Sequence, residues 1–200
     1  MIVTALHPTS PERVNLLLED GQEIPTTLGI VTELRLFAGK DLEEAQLELI
    51  RSKTEASQAR DRALELLSRR PHSRKELSDK LRMKGYDNAS SCSALDWLEE
   101  HGYLDDRNYA GMVVRHYTSK GYGIGRIRAE LSKRGIPREL REEALSEMPN
   151  TDDSIDRFIR NRLKDPDDRD EIRKLSASLA RRGFGWEEIQ SAIERYHDSY

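Results

Sequence analysis

Residues 73–103 read SRKELSDKLRMKGYDNASSCSALDWLEEHGY, and the spacing inside this stretch decides the fold. Leu77 and Leu81 stand eight and four residues before Gly85, Tyr86 follows it at once, and Ala94, Leu95 and Leu98 come after it. Apolar residues four apart mark one face of a helix, and a glycine beyond the last of them suits a left-handed helix stop. The pattern recurs around Gly135, with Ile127, Leu131, Ile136, Ala144, Leu145 and Met148. It recurs again around Gly183, with Leu175, Leu179, Phe184, Ala192, Ile193 and Tyr196. Self-similarity at a period of about 50 residues predicts a stacked helical array that works as a binding surface.

Outward from the glycines, each repeat reads as three helices. The first repeat has helices at 61–70, 73–84 and 89–101, with Ser73 and Glu76 as a capping box and Pro71 as a stop. The second has 108–119, 124–134 and 137–147, with Asp105 as a cap and Pro137 in a first turn. The third has 151–163, 168–182 and 186–197, with Asp168 and Glu171 capping the middle helix. Before the repeats, Asp41 with Glu44 is expected to cap a long helix whose apolar side is interrupted at Ser52, Lys53 and Thr54, a break that suggests a joint. Residues 1–40 alternate differently: short strands at 2–6 and 14–18, a third extended piece at 24–27 and a short helix over 28–37. The expected organisation is a β-hairpin-like segment at 1–40, a connector helix at 41–58, and three-helix repeats at 59–105, 106–149 and 150–200. The fold class is mostly α, an elongated curved array with a small β-hairpin appendage.

Composition limits the function. The 200 residues are 36% hydrophobic and 35% charged, with net charge −4, which describes a soluble, mostly helical protein. No apolar run has the length of a membrane span and no signal pattern opens the chain. The single Cys92 excludes an internal disulfide framework and fits a reducing cytoplasm. Charge is uneven: residues 1–50 hold 3 basic and 9 acidic side chains, residues 51–150 hold 20 and 16. The first two repeats are therefore basic and suited to nucleic acid or an acidic protein surface, unless ion pairs on solvated helices absorb the charge.

Catalytic patterns are missing. His7, His72, His101, His116 and His197 are scattered, and no metal or cofactor pattern stands out. Asp105, Asp106, Asp152 and Asp153 sit where helices begin, so capping explains them. Trp97 and Trp186 read as core or repeat-interface residues, His116 as a half-buried packing residue, and Cys92 as a packed small thiol. The loop 120–126, KGYGIGR, lacks both the GxGxxG and the P-loop pattern and reads as a flexible turn. Residues 73–101 have the outline of a helix–turn–helix, but the helix after the turn carries no Arg or Lys, which argues against major-groove reading.

The cations gather on the middle helices instead. Lys84, Lys133 and Arg134 lie at helix C-termini, where the helix dipole explains them. Arg74 and Lys75 lie at the opposite end, where it does not. Arg74, Lys75, Arg126 and Arg128 are the first interaction residues, with Lys84, Lys133 and Arg134 behind them.

Taken together, the runs 73–77 and 80–86, then 98–106 with Tyr109 and Ala110, then 120–123 followed by Ile127, Glu130, Leu131 and 133–136, resemble the RecX regulatory family. The likeness is strong over 60–148 and extends through the weaker third repeat. It implies binding to the RecA recombinase in the groove of its filament on single-stranded DNA. Strand exchange, ATP hydrolysis and the coprotease activity behind the SOS response would be restrained, which places the chain in DNA repair and recombination. It would act as a monomer, with only weak direct contact to single-stranded DNA because the chain is acidic overall. Two other readings stay open: a helical-repeat protein binding nucleic acid without RecA, and a scaffold for another acidic partner.

Overall fold

The computed structural model describes residues 1–199. The chain divides into two compact units, Met1–His72 with Leu77–Leu104, and Ser73–Glu76 with Asp105 onward.

The first unit opens with three antiparallel strands in sequence order, β1 (Val3–Pro8), β2 (Arg13–Leu18) and β3 (Glu23–Thr27). This is a sheet of three strands where a hairpin was expected; the third extended piece pairs along β2 from Thr27 opposite Arg13 to Glu23 opposite Leu17. Pro25 is tolerated because β3 lies at the edge of the sheet, where a missing N–H breaks no ladder. Val3, Leu16, Leu18 and Ile24 pack with Leu42, Leu47 and Ile50 in a small core. A short helix, α1 (Leu28–Glu33), follows with Thr27 as its cap.

Helix α2 (Glu44–Arg69) corrects two expectations. Asp41 does not start it: its carboxylate accepts from the Met1 amine at 2.8 Å, and residue 41 bridges to Ile2 in extended conformation. Glu43 is the cap, its N–H donating to the Gln46 side chain at 3.0 Å. Nor is there a joint at 52–54, for α2 runs unbroken through 26 residues. Thr54 is buried with its hydroxyl 3.1 Å from that of Thr26, and Lys53 reaches Glu33 at 2.8 Å. These polar residues mark the seam where α2 meets β3 and α1.

The second half of α2 then packs with α3 (Arg74–Met83) and α4 (Asn88–Glu100) around Ala59, Ala63, Leu77, Leu81, Ala94, Leu95 and Leu98. Ser73 and Glu76 form the expected reciprocal cap, each backbone N–H donating to the other's side chain at 3.0 Å.

The second unit holds two further triplets, each with its own core. Helices α5 (Asp106–Ser119), α6 (Ile124–Lys133) and α7 (Arg138–Ser146) enclose Tyr109, Val113, Val114, Ile127, Leu131 and Ile136. Helices α8 (Asp152–Arg160), α9 (Arg169–Arg181) and α10 (Trp186–Ser199) enclose Ile155, Ile159, Leu175, Leu179, Phe184 and Ile189. Asp105 caps α5 and Asp168 caps α9, but the Glu171 carboxylate turns back to accept from the Lys164 N–H at 3.1 Å and leaves the reciprocal bond unmade. Trp186, expected in a core or interface, is 67% exposed, and His116 is exposed with its ring edge-on to Tyr117. Both lie on the outer side of their helices.

The triplets of the second unit are linked through their middle helices. The Gly123 and Gly125 N–H groups, at the start of α6, donate to the Arg182 and Gly183 carbonyls at the end of α9, both at 2.9 Å. One period earlier Ser73, in the position of Gly123, donates its hydroxyl to the Arg134 carbonyl. A β-carbon on Gly183 would run into the Arg126 backbone, and one on Gly135 into the Lys75 side chain. Those two glycines do more than stop helices. They are the contact through which the start of one middle helix reaches the end of the next.

Candidate partner-binding surface

The loop 120–126 is docked rather than free. Its Gly123 and Gly125 N–H groups are taken by the third triplet and that of Gly121 by the Thr118 carbonyl, so no phosphate cradle remains, and Tyr122 packs 5.5 Å from Tyr117. The close approach at Gly123, where a β-carbon would overlap the Gly183 carbonyl, is what requires a glycine there.

The seven expected interaction residues lie in very different surroundings. Arg74 opens α3, with its N–H on the Asp106 carboxylate at 2.8 Å; burial raises the Asp106 pKa even though that bond opposes the rise. Lys75 is exposed, its stem laid over Gly135. Arg126 reaches Glu130 at 3.1 Å one turn along α6, and Arg134 reaches the same carboxylate at 2.6 Å from the other side. Arg134 also donates to the Tyr117 hydroxyl at 3.5 Å, and its side chain is only 23% exposed. The Arg134 hydrogen bond holds Glu130 below the ordinary carboxylate pKa.

Arg128 grips Glu142 through two bonds of 3.2 and 3.1 Å, which lowers the Glu142 pKa. Bidentate pairing of this kind fixes a guanidinium and cancels much of its charge toward a partner. Lys133 is exposed at the end of α6. In the first unit, Lys84 is exposed beside Gly85 and Tyr86 and lines a cleft of about 510 Å³ with Arg51, Glu55 and Ile24.

Sequence reasoning did not single out a second group of cations. Arg182 lies over two rings, with its guanidinium 5.5 Å from the Tyr122 centroid and 4.7 Å from that of Phe158. It also donates to the Gly121 and Lys120 carbonyls at 3.2 and 3.4 Å. Arg162, just past α8, sits 4.5 Å from the same Phe158 ring, four residues from it in sequence. Spacing alone offers the Phe158–Arg162 pair; the pairing of Arg182 with a ring 24 residues away it does not offer. In the first unit Trp97 carries a comparable contact, with Arg60 at 4.5 Å and His101 stacked at 4.0 Å.

Among the described residues no group of three or more His, Cys, Asp and Glu side chains is placed to hold a metal ion. No described helix is long and apolar enough to cross a membrane.

Comparison with known proteins gives a consistent result. Family models for the first, second and third three-helix domains of RecX match residues 59–98, 105–145 and 159–193. The regulatory protein RecX of Vibrio vulnificus is 37% identical over 138 residues, which is 67% of this chain and 90% of the relative. That of Xanthomonas axonopodis pv. citri is 41% identical over 135 residues, 66% of this chain and 83% of the relative. A crystal structure of a regulatory protein RecX superposes with a TM-score of 0.80 over 96% of this chain and 98% of that one, at 22% identity, a likeness of fold. A crystal structure of RecX from Lactobacillus salivarius gives 0.64 at 26% identity, over 70% of this chain and 96% of that one.

Proposed function

The chain belongs to the RecX regulatory family, and from that premise we propose that it restrains the RecA recombinase. On this reading it lodges in the groove of the filament on single-stranded DNA and lowers ATP hydrolysis, strand exchange and coprotease activity. It acts as a cytoplasmic monomer in DNA repair and recombination, limits the SOS response, and carries out no catalysis of its own.

The observation that supports this reading is the chaining of the middle helices. Within the second unit Ser73 meets the Arg134 carbonyl, and Gly123 and Gly125 meet the Arg182 and Gly183 carbonyls, so the residues that open one basic stretch are tied to the end of the next. A filament groove offers a partner surface that also repeats, and matched repeats gain avidity by engaging together. Arg74, Lys75, Arg126 and Arg128, with Lys84, Lys133 and Arg134, are the residues assigned to the partner. The ion pairs of Arg126 and Arg128 set the terms: each must exchange an internal carboxylate for one on the recombinase.

A DNA-dependent RecA ATPase assay tests the reading directly. Added protein is expected to lower the rate in a saturable manner and to shorten the lifetime of the filament. An unchanged rate and an unchanged filament at saturating protein would sink it.

A further inference from the structure

We propose that the first unit holds a binding site for a small organic carboxylate, in the recess that α1, α2 and α4 form around Arg60 and Ser90. None of the seven residues assigned to the recombinase lines this recess, so the inference does not depend on that reading.

Helix α2 is the floor of the recess, and α1 and α4 are its walls. Its volume is about 590 Å³, a size that suits a small-molecule ligand. Small side chains make the room: Gly29 on α1, Ala56 on α2, and Ala89 and Ala94 on α4. Ser57 and Ser90 line it as well. Ser90 is 1% exposed, and its Oγ has no hydrogen-bond partner in the protein. A helical serine can place its hydroxyl on the carbonyl one turn before it, and a buried hydroxyl left unpaired costs stability. A ligand oxygen in the recess would complete it. The first turn of α4 adds no anion site of its own, because the Asp87 carboxylate already accepts from the Ser90 N–H at 2.6 Å. The charges around the recess leave one cation over. Lys53 and Glu33 face each other at 2.8 Å and cancel. Arg60 pairs with no carboxylate among the described residues; its guanidinium lies 4.5 Å from the Trp97 ring centroid, and Nη2 donates to the Ser57 hydroxyl at 3.3 Å. The ring fixes the guanidinium plane and leaves its charge and remaining N–H groups for a ligand.

One oriented guanidinium matches one carboxylate, which accepts two parallel N–H bonds from it. A phosphate dianion would bring a second charge that nothing in the recess balances. Past Arg60 the groove continues to Arg13, Asp61 and Glu12, where Arg13 already pairs with Asp61 at 3.5 Å. Those acidic side chains repel a ligand carboxylate, so it stops at Arg60 and its body extends the other way, along Ala56 and Ala94 toward Ser90. The body is short and apolar and carries an oxygen that accepts from the Ser90 hydroxyl. Oxo-acids and acetyl-bearing aromatic acids have this chemistry.

The test is NMR titration of the full, isotope-labelled chain with levulinate and para-acetylbenzoate, each beside its primary amide. The backbone resonances of Gly29, Ala56 and the stretch from Ala89 to Trp97 are expected to shift with the acids and to stay in place with the amides. A Kd of about 1 mM suits ligands of so few atoms. Arg60→Gln should weaken binding of the acids about tenfold or more. Arg60→Lys keeps the charge but loses the planar fork, and should weaken binding severalfold. Ser90→Ala should also weaken it severalfold, yet leave the thermal midpoint of the unliganded chain no lower, because the hydroxyl it removes has no partner to lose. Arg107→Gln, which breaks an ion pair with Glu143 in the second unit, should bind as the unaltered chain does. If Arg60→Gln unfolds, Arg60→Lys, Ser90→Ala and the comparison of acid with amide carry the test. The proposal is overturned if neither acid shifts those resonances at about 10 mM, if acids and amides bind alike, or if the substitutions of Arg60 and Ser90 leave the affinity unchanged. It is also overturned if a peptide with a free C-terminal carboxylate binds here and both small acids fail, which would make the recess a protein-facing surface.

Discussion

Gly85, Gly135 and Gly183 hold equivalent places in the repeat, and all three have positive φ, +92°, +70° and +91°. Their surroundings differ. A β-carbon at Gly85 meets open space, whereas one at Gly183 meets the Arg126 backbone and cannot be accommodated without moving it. Gly85→Ala should therefore cost only the left-handed conformation, about 1 kcal/mol. Gly183→Ala should add the close contact, for a total of roughly 3 kcal/mol. Urea denaturation of the two variants measures the difference, and equal losses would mean that the middle-helix junction contributes nothing. The glycines themselves were legible in the sequence, since a helix stop is local. Their second role was not, because it depends on residues distant in sequence, the Arg126 main chain for Gly183 and the Lys75 side chain for Gly135.

At the scale of the element, α6 is organised about one carboxylate. Glu130 is 11% exposed and lies one turn from both Arg126 and Arg134, so two i,i+4 pairs converge on it. Arg134 holds its pKa below the usual 4.5, followed by weaker attractions of Arg134 and Arg126, against an opposing effect of burial. A depressed folded-state pKa contributes stability that is full above the unfolded value and disappears as pH falls through the folded one. Glu130→Gln should cost about 2 kcal/mol at neutral pH by leaving Arg134 without its partner. That gap should narrow progressively below pH about 4.5, which denaturation at pH 7 and pH 3 would read. A gap of the same size at both pH values would assign the loss to packing. Elements of this kind were readable where their chemistry was local, as in the Ser73–Glu76 cap. The start of α2 was misread because Asp41 is claimed by an amine 40 residues away. Its supposed break was misread because the polarity of Thr54 serves Thr26 on the sheet.

At the scale of the molecule, the cations were countable in the sequence but their partners were not. Arg128 and Glu142 lie 14 residues apart on different helices, and only the packing of α6 on α7 brings them together. This pairing changes what the basic repeats can contribute to a recombinase. An arginine that gives up one carboxylate for another gains little, about 0.5–1 kcal/mol for an exposed pair. Arg126→Gln with Arg128→Gln should accordingly weaken inhibition of the RecA ATPase by about tenfold. Glutamine is preferable to a charge reversal here, because a glutamate would stand against Glu130 and Glu142 and disturb the fold itself. Higher salt should shrink the difference between the variant and the unaltered chain, since the lost attraction is screened. Full potency in a variant with unchanged helicity would show that Arg126 and Arg128 serve α6 alone, and the partner contacts would then fall to Arg74, Lys75 and the exposed Lys84 and Lys133.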